Sequence, residues 1–446
     1  MRKVLFISLG CDKNLADSEE MLGILVENGY EITNDETEAE VIVVNTCAFI
    51  HDAKEESINS ILEMAKYKEE GVLKALLVTG CLAQRYKEEI MTEIPEVDAV
   101  LGTTSYDSIV KALDKVFEGE RYQEYKDING LPANSKKRMI TTGGYFEYLK
   151  IAEGCDKRCT YCIIPKLRGN YRSVPMEQLL AQAEYLADQG VRELILVAQE
   201  TTVYGKDLYG EKSLHKLLKE LCKVSGIQWI RILYCYPEEI YPELIQTMKE
   251  EPKICHYLDL PIQHCSDKIL KRMGRRTTKQ ELEDIVYTLR KEIPDIILRT
   301  TLITGFPGET QEDPKELLDF IDELEFDRLG VFTYSAEEDT PAALMPDQID
   351  EEVKLDRQAE LMELQQEISM EKGNEKIGTV VEVMIEGKVA DENAYVGRTY
   401  GDAPKVDGYI FVNTDTELMS GDFARVHVTG ALEYDLIGEL EDEYTE

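Results

Sequence analysis

The segment Cys155-Asp-Lys-Arg-Cys159-Thr-Tyr-Cys162 constrains the fold of this chain more than any other. Three thiols fall within eight residues, directly after the apolar run YLKIA, so a strand must deliver them together on one loop. Thiolates are the natural ligands of iron–sulfur clusters. A trio of them leaves one iron of a four-iron cluster open to the amino and carboxylate groups of S-adenosylmethionine (SAM). Structural zinc would need a fourth ligand at matching spacing, and the sequence offers none.

The surrounding pattern suits that loop. From about Tyr145 to Ser335 the strand candidates YLKIA, ELILVA, WIRILY, YLDLP, ILRTTLI and RLGVFTY alternate with amphipathic helices. One of these helices begins near Pro175 and ends near Gly190. Six β/α units predict a partial (β/α) barrel, whose sites lie at the C-terminal ends of the strands. A long helix, from about Asp350 to Lys372, follows it.

Residues 1–118 form another alternation, with VLFISL, VIVVN and ALLVTG as near-continuous apolar strands, which predicts a doubly wound α/β domain. Each of these strands is followed by a cysteine: Cys11 in SLGC, Cys47 in VNTC and Cys81 in VTGC. Neighbouring parallel strands would bring the three to one sheet edge, where open α/β folds bind ligands. A second three-thiolate cluster is one reading, and three unrelated buried thiols the other. Residues 119–140 are polar and aperiodic and read as a linker. From 373 to 441, segments such as TVVEVMIEG, YIFVNT and ARVHVTG, with Gly- and Asp-containing turns, predict a small all-β barrel.

Cys222, Cys235, Cys255 and Cys265 share no spacing and read as buried apolar thiols. His264 reads as a structural hydrogen-bonding residue. No apolar run approaches the ~20 residues of a membrane span, and the apolar start MRKVLFISLG reads as a strand, so a cytoplasmic location is expected. Against 50 basic residues stand 88 acidic ones, a formal net charge of −38. That balance opposes general binding to a phosphate backbone and favours a basic partner.

CDKRCTYC, placed after a strand, resembles the radical SAM superfamily. In that family a 4Fe–4S cluster cleaves SAM to a 5′-deoxyadenosyl radical, which abstracts hydrogen from an unactivated carbon. SLGCDKNLADSE, NTCAFI, GCLAQRY and GFPGET (Gly305 to Thr310) resemble the methylthiotransferase family within it, and the C-terminal segment resembles that family's TRAM domain. The resemblance implies two 4Fe–4S clusters, a catalytic one on Cys155, Cys159 and Cys162 and an auxiliary one on Cys11, Cys47 and Cys81. It also implies SAM, a sulfur donor and a low-potential electron donor such as ferredoxin or flavodoxin. SAM is expected against backbone near Gly305 and Gly308, with Gln199, Gln263 and Arg299 as further contacts at strand ends.

The family has a branch that modifies a tRNA adenosine and a branch that modifies an aspartate of ribosomal protein S-twelve. LYCYPEEI, LDLPIQHCSDKILKRMGRRT and GRTYGDAPKVDG resemble the second branch. The TRAM-like region carries about three acidic residues for each basic one, where RNA binding would leave a basic footprint. The expected partner is therefore S-twelve or the small ribosomal subunit rather than tRNA, with Asp402 and Asp407 as docking candidates. A non-enzymatic iron–sulfur protein for electron transfer is the alternative of another class.

Overall fold

The computed structural model describes residues 1–132 and 138–442. In the N-terminal region β1 (Lys3–Ser8), β2 (Glu31–Ile32), β3 (Val41–Thr46), β4 (Ala75–Gly80), β5 (Ala99–Leu101) and β6 (Tyr122–Glu124) make one parallel sheet, ordered β2-β1-β3-β4-β5-β6. Every residue of β3 and β4 is buried, because helices cover both faces of the sheet. β6 falls inside the stretch read as a linker. Its three residues pair with β5, a match too short for alternation to show in the sequence. Arg138, in the same stretch, is buried between Glu19 and Glu147, and residues 133–137 lie outside the described residues.

The central region has a second parallel sheet. β7 (Phe146–Lys150) is followed by a short antiparallel pair, β8 (Ala152–Glu153) with β9 (Arg172–Ser173). Then come β10 (Glu193–Val197), β11 (Trp229–Ile232), β12 (Ile254–Asp259), β13 (Ile297–Thr304) and β14 (Arg328–Thr333). Their order, β14-β13-β12-β11-β10-β7, is sequential, as expected for an open partial barrel. All six strands predicted from the sequence are present. The helix Met176–Asp188 starts after Pro175, and the helix Lys279–Glu292 opens on a capping box between Thr278 and Glu281.

The helix Glu351–Glu375 leads to a closed five-stranded barrel of β15 (Val380–Lys388), β16 (Ala394–Thr399), β17 (Ile410–Asn413), β18 (Phe423–Ala431) and β19 (Leu436–Leu440). This barrel stops the N-terminal end of the central sheet. Arg398 reaches Glu193 at 2.7 Å, the Trp229 and Phe423 rings meet edge-on, and Tyr257 donates to Asp407 at 2.7 Å. Asp402 binds Arg328, and Asp407 sits 3.3 Å from Arg299. Asp402 and Asp407 are therefore not docking residues. Their carboxylates neutralise arginines at a domain seam, and both side chains are almost wholly buried. Among the described residues no helix is long and apolar enough to cross a membrane.

Candidate active site at the barrel mouth

The loop after β8 is shaped by backbone demands. Gly154 lies at φ +74°, and a Cβ there would meet the Asn170 carbonyl at 2.1 Å, so only glycine fits. The Cys155 N–H donates to the Gly169 carbonyl at 3.1 Å, and the Cys162 N–H to the Cys159 carbonyl at 3.1 Å. Thr160 ties the loop to the Arg272 and Met273 carbonyls, at 2.8 and 2.9 Å. The Tyr161 ring packs edge-on against Phe306 of GFPGET. Burial pushes the Cys155 thiol up to about 12, and Cys162 is raised further, with Cys159 adding to both.

Cys11, Cys47 and Cys81 follow β1, β3 and β4, which are adjacent in the sheet. Ser8 pairs with Asn45 and Thr46 with Gly80, so the strands deliver their cysteines at nearly the same level. A Cβ on Gly10 would meet Cys47 Sγ at 2.8 Å, which places that sulfur against the backbone just before Cys11. Burial pushes Cys47 up to about 12, and the neighbouring Cys81 and Cys11 thiolates push the same way. Arg168 opposes the effect of burial on Cys81.

Both trios suit a cationic cluster. Buried thiols that disfavour one another as anions ionise when a cation is placed among them. Among the described residues no three Cys, His, Asp or Glu side chains converge on a single metal-ion position. A four-iron cluster takes each thiolate on a different iron, so its ligands stand farther apart than those of one zinc ion.

The segment after β11 joins the two trios. The Tyr236 hydroxyl lies 3.7 Å from Cys159 Sγ, and the Tyr234 hydroxyl lies 3.3 Å from Asp12 beside Cys11. A buried charge network runs alongside. Arg168 donates to Asp17 (2.7 Å), Glu153 (3.1 Å) and Asn14 (3.0 Å), and Lys150 binds Asp17 and Glu153.

The expected SAM contacts divide. Gln199 donates to Glu153 at 3.2 Å, and its buried Oε1 has no hydrogen-bond partner. Gln263, at φ +72°, bridges Thr301 and Ile303 through its backbone. Gly305 and Gly308 also lie at positive φ, but side chains of the protein fill the space beside them. A Cβ would meet Lys354 at 2.1 Å and the Arg272 guanidinium at 2.7 Å. Both positions therefore require glycine for packing. Arg299 is held between Asp259 of β12 (2.8 Å) and Asp407 of the C-terminal barrel (3.3 Å).

The sequence reading missed Glu200. Burial pushes its carboxyl up to about 7, Lys157 stands 3.6 Å away, and Oε2 accepts no hydrogen bond. A carboxylate directly after the apolar run ELILVAQ was the available signal. Arg275, stacked on Tyr236 with Nε and Nη1 unpartnered, was also missed. His264 is buried and accepts the Ser266 N–H at 2.9 Å, a structural role. Cys235, Cys255 and Cys265 are buried, and Cys222 is half-buried.

Family models match three stretches of the chain: Uncharacterized protein family UPF0004 over residues 3–102, the Radical SAM superfamily over 149–321 and the TRAM domain over 377–440. Among solved structures, the chain is similar to the radical SAM methyltransferase TsrM from Kitasatospora setae. The TM-score is 0.55 at 14% identity, over 88% of this chain and 79% of that one. That likeness is one of fold. The chain is thus a radical SAM enzyme, a class that uses SAM and a 4Fe–4S cluster.

Curated relatives narrow this further. Proteins named "Ribosomal protein uS12 methylthiotransferase RimO" are 65% identical in Lachnoclostridium phytofermentans (98% of this chain, 100% of the relative) and 52% identical in Clostridioides difficile (99% of each). The chain belongs to the RimO family of methylthiotransferases.

Proposed function

We propose that this chain inserts sulfur and a methyl group at the β-carbon of one aspartate of ribosomal protein S-twelve, giving 3-methylthioaspartate. Cys155, Cys159 and Cys162 would hold the 4Fe–4S cluster that binds SAM, and Cys11, Cys47 and Cys81 a second 4Fe–4S cluster. The observation that carries the reading is the tyrosine pair after β11, which touches one trio through Tyr236 and flanks the other through Tyr234. The names of the relatives support the substrate.

With its cofactors bound, such a site supplies a carbon-centred radical that takes hydrogen from a C–H bond too weakly acidic for a side-chain base. The chain's own residues orient and shield that chemistry. The unpartnered oxygens of Gln199 and Glu200 suit the ammonium and hydroxyl donors of SAM, and Gln263 would be a further contact. The partners would be S-twelve or the small ribosomal subunit, a sulfur donor and a low-potential electron donor. Exposed acids on the TRAM barrel, Glu382, Asp391, Glu392, Asp415, Glu417 and Glu433, would attract a basic protein. That barrel is docked at the N-terminal end of the central sheet, and six-residue strands at ~3.3 Å per residue put this end about 20 Å from the mouth. The partner would thus be gripped away from the residue it presents.

The test offers S-twelve and tRNA to the same reconstituted enzyme with SAM, sulfide and reductant. Mass spectrometry should show the methylthio increment on one S-twelve aspartate. The increment on tRNA adenosine alone would overturn the proposal.

A further inference from the structure

Three lysines of the described chain are more than nine-tenths buried: Lys13 (6% exposed), Lys150 (9%) and Lys354 (7%). Lys150 is neutralised by Asp17 and Glu153, and Lys354 by Glu351 with the Tyr334 carbonyl. Lys13 has no such partner among the described residues. Its ammonium lies 3.3 Å from the centroid of the Tyr234 ring, a contact that offsets only part of the cost of burying a charge. Asp12, its neighbour in sequence, directs its carboxylate to the Tyr234 hydroxyl instead.

This placement is built into the fold. Lys13 is the second residue of the helix Asp12–Glu27, two positions after Cys11. Tyr234 is held at φ +60°, a conformation that costs energy for a residue with a side chain. Its N–H donates to Asp259 at 3.0 Å, and its carbonyl accepts the Thr201 N–H at 3.0 Å. Cys11, Asp12, Leu15 and Tyr234, by contrast, are only half-buried.

We propose that Lys13 binds the side-chain carboxylate of the acceptor residue and so selects an aspartate. This rests on the reading of the acceptor given above. In aspartate the β-carbon is bonded directly to the carboxylate carbon. An ammonium that fixes the carboxylate therefore fixes the reacting C–H bond one bond away, beside Cys11. An asparagine or a nucleobase brings no anion and leaves the lysine buried and unpaired, which is a strong basis for rejection.

The test uses reconstituted full-length enzyme and S-twelve carrying either aspartate or asparagine at the acceptor position. The parent should prefer aspartate in kcat/KM by about 100-fold or more. Lys13→Met, at parental iron content, should bring that ratio close to one, chiefly through KM for aspartate, and Lys13→Arg should restore most of it. Retention of the preference in Lys13→Met overturns the proposal. A shifted potential of the auxiliary cluster with an unchanged ratio also overturns it, because the lysine would then serve the cluster's charge. A parent that accepts asparagine as readily as aspartate overturns it without any variant. A parent that modifies neither form of S-twelve removes the acceptor reading itself, a result distinct from the others.

Discussion

Cys155, Cys159 and Cys162 share one eight-residue loop after the first barrel strands, whereas Cys11, Cys47 and Cys81 end three separate strands that only the sheet brings together. The loop trio is set within the central region: by Gly154, by the turn from Cys162 to Cys159, and by the Thr160 bonds to the Arg272 and Met273 carbonyls. The sheet trio depends on long-range register and on the seam with the barrel, where Arg168 stands beside Cys81. The first trio thus rests chiefly on one loop of the central region, and the second on elements of both domains.

The largest effect is expected at the seam. Arg168→Met leaves Asp17 and Glu153 with one fewer cation in a buried setting, and loss of one partner from such a network costs about 3–5 kcal/mol. Denaturant unfolding should report that loss, and the surviving protein should lose iron from the sheet trio before the loop trio. Equal loss from both trios would break the contrast drawn between them.

Two glycines sharpen it. Gly154→Ala forces a Cβ onto backbone carbonyls, and Gly10→Ala forces one onto Cys47, both at positive φ. Each should cost about 1–3 kcal/mol. Each should also deplete iron at its own trio only. Iron content and the electron paramagnetic resonance of each variant check this, and depletion at the other trio would contradict it.

The smallest effect is one of pH. Burial pushes the Glu147 carboxyl up to about 7, with Glu19 adding and Arg138 opposing. A folded value above the ordinary one near 4.5 means that the folded chain holds this proton more tightly. The resulting stability is fully present below about 4.5 and is lost as pH rises through about 7. Glu147→Gln should flatten the dependence of the unfolding free energy on pH in that window, by about 3 kcal/mol at most. An unchanged slope would place the titration elsewhere.

The contrast also explains what the sequence could disclose. CDKRCTYC was legible because all its thiols sit in one short loop. The sheet trio was legible because each cysteine follows an apolar strand, so parallel order alone places the three together. The Asp17–Lys150–Glu153–Arg168 network was not legible, since Asp17 and Arg168 are 151 residues apart and no local pattern links them. Asp402 and Asp407 were misjudged for a related reason. A polar residue at a strand end or turn can face a mouth, a solvent surface or a domain seam, and only the docking of the TRAM barrel decides which. β16 and β19 went unnamed among the β segments, and β6 was hidden by its three-residue length.

The most direct test of the two-trio account compares two triple variants, reconstituted with iron and sulfide. In the first, Cys155, Cys159 and Cys162 are replaced by Ala; in the second, Cys11, Cys47 and Cys81. Each should retain about half the parental iron, as expected when thiolates hold each cluster separately. SAM cleavage to 5′-deoxyadenosine should vanish in the first and persist in the second, which should nevertheless form no methylthio product. Cleavage that persists in the first variant, or methylthio product formed at the parental rate by the second, would contradict the account.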